Sequence, residues 1–211
     1  MDADALQRSW DRVTAYGEQV PLYFYSHLFV AHPEVRSMFP LAMSDQRDKL
    51  VSALGRIVSH ADRIDEDLDF MRHLGRDHRK YAVVAEHYNA VGASLCATLK
   101  HFLGEEWDAE LAAEWTAAYQ VIARVMVEAA DLSSDATPNW WDAEVLSVER
   151  RTMDLTLLTV RPQRAYHYLP GQSVSMEIPQ RPRQWRYFSP ANAPAPTARS
   201  ISTSSRSTAA R

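Results

Sequence analysis

Apolar residues recur at steps of three and four through most of the first 130 positions. Trp107, Leu111, Trp115, Tyr119, Ile122 and Met126 form one such stripe, and Tyr88, Val91, Leu95, Leu99 and Phe102 form another just before it. That spacing places the side chains on one face of an α-helix. Gly104 stops the earlier of the two. Leu50, Leu54, Ile57 and Val58 mark a helix within residues 44–61, with Ser44 as its N-cap. Leu6, Trp10 and Val13 mark a first helix, and Val20, Phe24 and Leu28 a second that ends before His32-Pro33. The acidic stretch from Asp62 to Asp69 reads as a loop leading into a helix start, where carboxylates suit the dipole. About seven helices with no convincing strand between them predict an all-α domain.

Past residue 140 the period changes. Val174, Met176 and Ile178 alternate with Ser175 and Glu177, the pattern of a half-buried strand. Met153–Val160 is a second strand candidate, and Ala143, Val145 and Ser147 suggest a third. Pro170-Gly171 is a turn between strands, and Ser133–Asn139 reads as a linker. The last residues are rich in Ser, Thr and Arg, with no apolar period. The expected protein is therefore mainly α. A helical domain spans 1–135, an incomplete antiparallel β segment with too few strands to close spans 136–194, and a disordered tail spans 195–211.

Composition narrows the class. Hydrophobic residues make up 46% and charged residues 24%, ordinary for a globular protein. No apolar run approaches the ~18 residues of a bilayer span, so no membrane insertion is expected. Asp2, Asp4, Arg8 and Asp11 leave no signal peptide at the start, which points to the cytoplasm. The single cysteine, Cys96, excludes an internal disulfide and a cysteine-rich metal site. A net charge of −4 gives no reason to expect nucleic acid.

Eight histidines punctuate the chain, none in HExxH spacing. One histidine taken alone is more often a surface or core residue than a ligand. Their setting is more specific. FYSHLF (24–29), HPEVRSMF (32–39), Gln46 with Leu50, His78 followed ten residues on by Tyr88, HYNAVG (87–92) and EWTAAYQVIA (114–123) occur in this order. In these residues the chain resembles the bacterial haemoglobins and the globin domain of flavohaemoglobins. The resemblance implies a globin fold and non-covalent haem b, with His78 as the metal ligand. It places Phe39 against the porphyrin face and Leu50 over the iron. Tyr25 and Gln46 would offer hydrogen bonds to the gas ligand. Behind the histidine the family uses a tyrosine and a glutamate. Tyr88 matches the tyrosine, whereas Ala130 stands at the glutamate's place and the nearest acid is Glu128. Asp77 stands where the family often has lysine. Both departures predict a weaker electronic push on the iron.

The strand segment resembles the FAD-binding barrel of the ferredoxin-reductase family, which follows the globin in flavohaemoglobins. PGQ (170–172) and RYFS (186–189) carry that likeness. It implies that Arg186 meets the FAD pyrophosphate, Phe188 stacks on the flavin and Ser189 bonds its edge. Phe188 replaces the usual tyrosine, and Ser173 follows PGQ where a ring is common. The expectation is a partial flavin site with weak or absent FAD binding, and no NAD(P)H site in this chain.

Three functions fit this reading. Flavohaemoglobins convert nitric oxide and dioxygen to nitrate, and here sustained oxidoreductase turnover would need an external reductase. A gas-binding globin for oxygen storage or delivery would need only the haem pocket, with dioxygen, nitric oxide and carbon monoxide as its ligands. The third is the remnant of a disrupted flavohaemoglobin gene.

Overall fold

A computed structural model of the chain describes residues 2–134, 138–164, 168–192 and 201–206. They divide into two compact units, Met1–Asn139 and Trp140–Arg211, so the break falls at the end of the expected linker.

The first unit is helical. Six α-helices run in order: α1 (Ala3–Thr14), α2 (Gln19–Ala31), α3 (Ser44–Ser59), α4 (Leu68–His78), α5 (Ala85–Leu103) and α6 (Ala109–Ser134). Short 3₁₀ turns join several of them, at Pro33–Met38, Ala61–Asp67, Arg79–Tyr81 and Gly104–Glu106. The acidic stretch expected as a loop is thus the turn Ala61–Asp67, and α4 starts where that stretch ends.

Local chemistry sets these boundaries. The Asp2 carboxylate accepts from the Ala5 N–H at 2.9 Å and caps α1. Ser44 is the first residue of α3, with Met43 in the cap position, so the expected cap is off by one residue. Its hydroxyl bonds the Asp45 carboxylate and leaves the helix end alone. Gly104 ends α5 at φ +58°, a left-handed backbone that a β-carbon would strain.

The helices bury the stripes read from the sequence. Leu6, Trp10 and Val13 of α1 pack with Phe24, Tyr25 and Leu28 of α2, Leu95 and Leu99 of α5, and Trp115 of α6. A smaller cluster joins Ile57, Met71, Ile122 and Met126. There α4 lies almost on the backbone of α6. A β-carbon placed on Gly75 would sit 2.7 Å from Met126 Cα.

The second unit is one antiparallel sheet of five strands: β1 (Ala143–Arg150), β2 (Leu155–Pro162), β3 (Val174–Met176), β4 (Arg186–Pro190) and β5 (Ile201–Arg206). Their spatial order is β1-β2-β5-β4-β3, which among the described residues is an open sheet rather than a closed barrel. The three strand candidates appear as β1, β2 and β3. β4 holds the RYFS motif. The disordered tail expected over 195–211 requires a correction, because residues 201–206 form β5 between β2 and β4. Strand pairing is a backbone matter, and a Ser/Thr-rich segment supplies those groups without any apolar alternation. The remaining tail residues lie outside the described residues. No described helix is long and apolar enough to cross a membrane.

Candidate functional site

His78 is the last residue of α4. Its Nδ1–H donates to the Leu74 carbonyl one turn back, at 2.7 Å. That bond fixes the tautomer and leaves the Nε2 lone pair as the free donor atom. Burial pushes the imidazole pKa below its ordinary value, against the Leu74 bond and the Asp77 charge, which raise it. The ring is therefore neutral, the form that ligates a metal.

Tyr88 of α5 packs half-buried in the cluster that contains Met71 and Leu74 of α4. Burial lifts its hydroxyl to about 12. Its own carbonyl accepts from the Tyr119 hydroxyl at 2.8 Å. Tyr119 in turn lies so close over Gly92 that a β-carbon there would come within 2.6 Å of its ring. The structure brings Tyr88 beside the turn that bears His78, but the His78 N–H goes to a peptide carbonyl rather than to the tyrosine or a carboxylate. Ala130 is partly buried and Glu128 is exposed, so no glutamate backs the histidine from this part of α6.

The remaining residues singled out in the helical part of the sequence lie on α2, α3 and the turn between them, and the apolar ones pack in the larger core cluster rather than the one beside α4. Tyr25 is 5% exposed. Its hydroxyl donates to the Gln46 carbonyl at a long 3.3 Å, and burial raises its pKa to about 12. The Phe39 ring stands edge-on to Tyr25 at 5.6 Å and to Phe29 at 5.3 Å. Gln46 and Leu50 lie one turn apart on α3, on a shared face. Leu50 lines an apolar cavity with Phe24, Leu54, Leu95 and Leu99. A second apolar cavity, sharing Leu54 and Leu95, reaches Ile57, Trp115, Tyr119 and Ile122.

One residue of this group was missed in the sequence. The Arg36 guanidinium stacks over the Phe29 ring at 5.0 Å and donates to the carbonyls of Phe39 and Pro40, each at 3.1 Å. It holds the turn that presents Phe39. The HPEVRSMF segment contained it, but nothing in that string says where the guanidinium points.

The donor set can be tested for fit. Among the described residues no three His, Cys, Asp or Glu side chains converge on a metal-sized site. A single neutral imidazole is a poor site for a bare ion. It suits an iron whose other in-plane ligands come with a porphyrin, and the apolar and aromatic walls suit the macrocycle. The residues present fit haem.

In the second unit, Arg186, Phe188 and Ser189 all lie on β4. Arg186 and Phe188 are two apart and share one face, while Ser189 points to the other with Tyr187. Ser189 pairs with Ser204 of β5, and Phe188 with Val174 of β3. Tyr168, which the sequence did not single out, is buried and donates its hydroxyl to the Asn192 carbonyl at 2.7 Å. It ties the loop before Pro170-Gly171 to the end of β4.

Comparison with known proteins bears on both units. The globin family model matches residues 22–126. A flavohemoprotein of Bordetella pertussis is 27% identical over 176 residues, covering 77% of this chain and 44% of that protein. The chain thus spans less than half the length of the curated relatives it matches. A crystal structure of flavohemoglobin from Malassezia yamatoensis, with bound FAD and heme, shares the fold at a TM-score of 0.75 and 15% identity. It covers 97% of this chain, which covers 56% of it. A bacterial globin from Campylobacter jejuni, at 24% identity and a TM-score of 0.57, covers 63% of this chain and is itself 96% covered. The helical unit therefore carries a globin domain over residues 22–126, and the chain as a whole is similar to the corresponding part of flavohaemoglobins.

Proposed function

We propose that the helical unit binds haem b through His78 Nε2 and binds dioxygen reversibly. The observation that carries this reading is the half-buried, neutral His78 imidazole, locked by the Leu74 carbonyl with one nitrogen free. Bound haem would supply an iron centre for gas binding and for the oxidation of nitric oxide by dioxygen to nitrate.

This chain's residues do the rest. Leu74 orients the imidazole. Phe39, in the turn held by Arg36, would pack on the porphyrin. Leu50, which lines an apolar cavity, would restrict the space over the iron of a bound haem and help keep water out. Tyr25 keeps its proton throughout the physiological range because burial holds its pKa near 12. Its long bond to the Gln46 carbonyl is cheap to give up, so the hydroxyl can turn to a gas ligand. Gln46 adds an amide from the first turn of α3.

A specific observation favours oxygen storage or delivery over rapid nitric oxide dioxygenation. A neutral peptide carbonyl behind His78 polarises the imidazole less than a carboxylate does, and electron push to the iron falls accordingly. Sustained dioxygenation would draw electrons from a reductase acting on this site. On β4, the shared face of Arg186 and Phe188 supports one wall of a flavin site, with FAD held weakly. That reading makes the purified protein a haem protein without stoichiometric flavin.

The test is the absorption spectrum of the purified protein. It is recorded ferric, then dithionite-reduced, then with dioxygen and with carbon monoxide, and repeated for His78→Ala. A five-coordinate ferrous spectrum that binds both gases and is lost in the variant supports the reading. No haem band after haem is added would overturn it.

A further inference from the structure

One ionised group of the helical unit is shielded from solvent by its own ion partners and takes no part in the gas site. Asp67 is 1% exposed and stands immediately before α4. One carboxylate oxygen accepts from Arg56 Nε at 2.8 Å, and the other from His60 Nδ1 at 2.8 Å. Arg56 lies in the last third of α3, and His60 is the residue that closes it. The Arg56 guanidinium also stacks on the Phe70 ring of α4 at 4.2 Å. A buried carboxylate therefore joins the end of one helix to the start of the next, at two oxygens and one ring.

The neighbouring charges are engaged elsewhere. Arg63 pairs with Asp62 and Glu66 within the turn, and Arg72 pairs with Asp69 on α4. Arg56 and His60 are left to Asp67. Burial alone would raise the Asp67 pKa, yet the bonds from His60 and Arg56 prevail and hold it below the usual carboxylate range.

We propose that Asp67 is a positioning residue that sets the tilt of α4 and so the place at which His78 is presented. Two points fix a rod. Gly75, pressed on the Met126 backbone, is one, and the Asp67 junction is the other. At 1.5 Å per residue, Asp67 lies ~12 Å before Gly75 and His78 lies ~4.5 Å beyond it. With Gly75 as pivot, each 1 Å of play at Asp67 moves His78 by about 0.4 Å. Displacement of that size matters for a metal–ligand bond, whose tolerance is about 0.2 Å. The spectroscopic consequence rests on the haem reading given above, but the mechanical one does not.

The experiment uses the full chain. In haem-free protein, amide hydrogen exchange is followed in Asp67→Asn. The expected result is exchange on the order of a hundredfold faster in residues 68–78, with residues 85–103 and 109–134 much less affected. Unchanged exchange in 68–78, or equal acceleration everywhere, overturns the proposal. A second variant covers the case in which the first does not fold. Arg56→Met with Asp67→Leu replaces the charged pair by apolar groups, which commonly restores stability. In haem-loaded protein the iron–histidine stretching band should shift in this variant even when the unfolding midpoint recovers. A band that returns to the wild-type position along with stability assigns Asp67 a packing role only and overturns the proposal. If the wild-type chain takes up no haem, the haem reading falls, and the exchange data alone decide the role of Asp67.

Discussion

Replacing Gly75 by alanine sets two ordinary effects against each other. Gly75 lies inside α4, where alanine is favoured over glycine by about 1 kcal/mol through helix propensity. At an open helical position the substitution would stabilise. Here the new methyl would lie 2.7 Å from Met126 Cα and 2.8 Å from its carbonyl carbon. These are backbone atoms in the middle of α6, and no side chain can swing aside. Relief needs α4 to move off α6 by roughly 1 Å, breaking the packing of Met71 and Leu74 on Ile122 and Met126. Overpacking of this kind costs about 1–3 kcal/mol, and a clash with backbone belongs at the upper end. The net is a loss of about 2 kcal/mol after the propensity gain, or some 6–10 °C in Tm for a unit of this size. His78 is three residues on, so haem affinity should fall with stability. Urea unfolding of the helical unit and a haem titration read both quantities. Gly55→Ala is the control. Its methyl would meet only the edge of the Trp10 indole, Nε1 at 3.3 Å and Cε2 at 4.0 Å, and should be near neutral. A Gly75→Ala protein as stable as wild type, with unchanged haem affinity, would refute the reasoning.

Three further outcomes are expected. In haem-loaded Tyr25→Phe, dioxygen release should quicken roughly 10- to 150-fold in stopped flow, the loss of a ~1.5–3 kcal/mol bond to a charged acceptor, while carbon monoxide release changes far less. Burial holds the Tyr25 and Tyr88 hydroxyls at about 12 and raises that of Tyr119, whereas an unfolded tyrosine ionises near 10. Stability is then full below about pH 10 and drains as pH rises towards 12, with Tyr25 alone contributing roughly 3 kcal/mol. Denaturation midpoints across that window, with ultraviolet titration of tyrosinate, check it, and a flat profile would contradict the burial argument. Arg36→Ala should cost about 1–2 kcal/mol in thermal unfolding, because it removes two bonds to carbonyls and a stacked cation.

Much of this architecture was legible because its side chains repeat. The α5 and α6 stripes were read from spacing alone, and Gly104 was read as the stop between them. The aromatics of α2 and the turn after it were legible through local strings, since Tyr25 and Phe39 lie in short segments whose order carries the family likeness. What failed to show had no local signature. Asp67 looked like one acid among several, and only the fold reveals that Arg56 and His60 converge on it. Arg36 owes its role to where a turn folds back. The bond from His78 to Leu74 joins a side chain to a backbone carbonyl, and the identity of residue 74 does not record it. β5 went unread because strand pairing draws on backbone groups that every residue possesses.

The contact of Trp10 with Trp115 has an optical consequence. The two indoles lie 6.1 Å apart, both buried, and Trp115 donates its N–H to the Ser9 hydroxyl at 3.0 Å. Emission from such a pair should be blue-shifted and shielded from aqueous quenchers. Trp115 also lines the apolar cavity that reaches Tyr119. A porphyrin seated in the helical unit would accept excitation energy from both rings. The pair would therefore act as a built-in optical gauge of haem occupancy, darkening as the pocket fills and brightening as it empties.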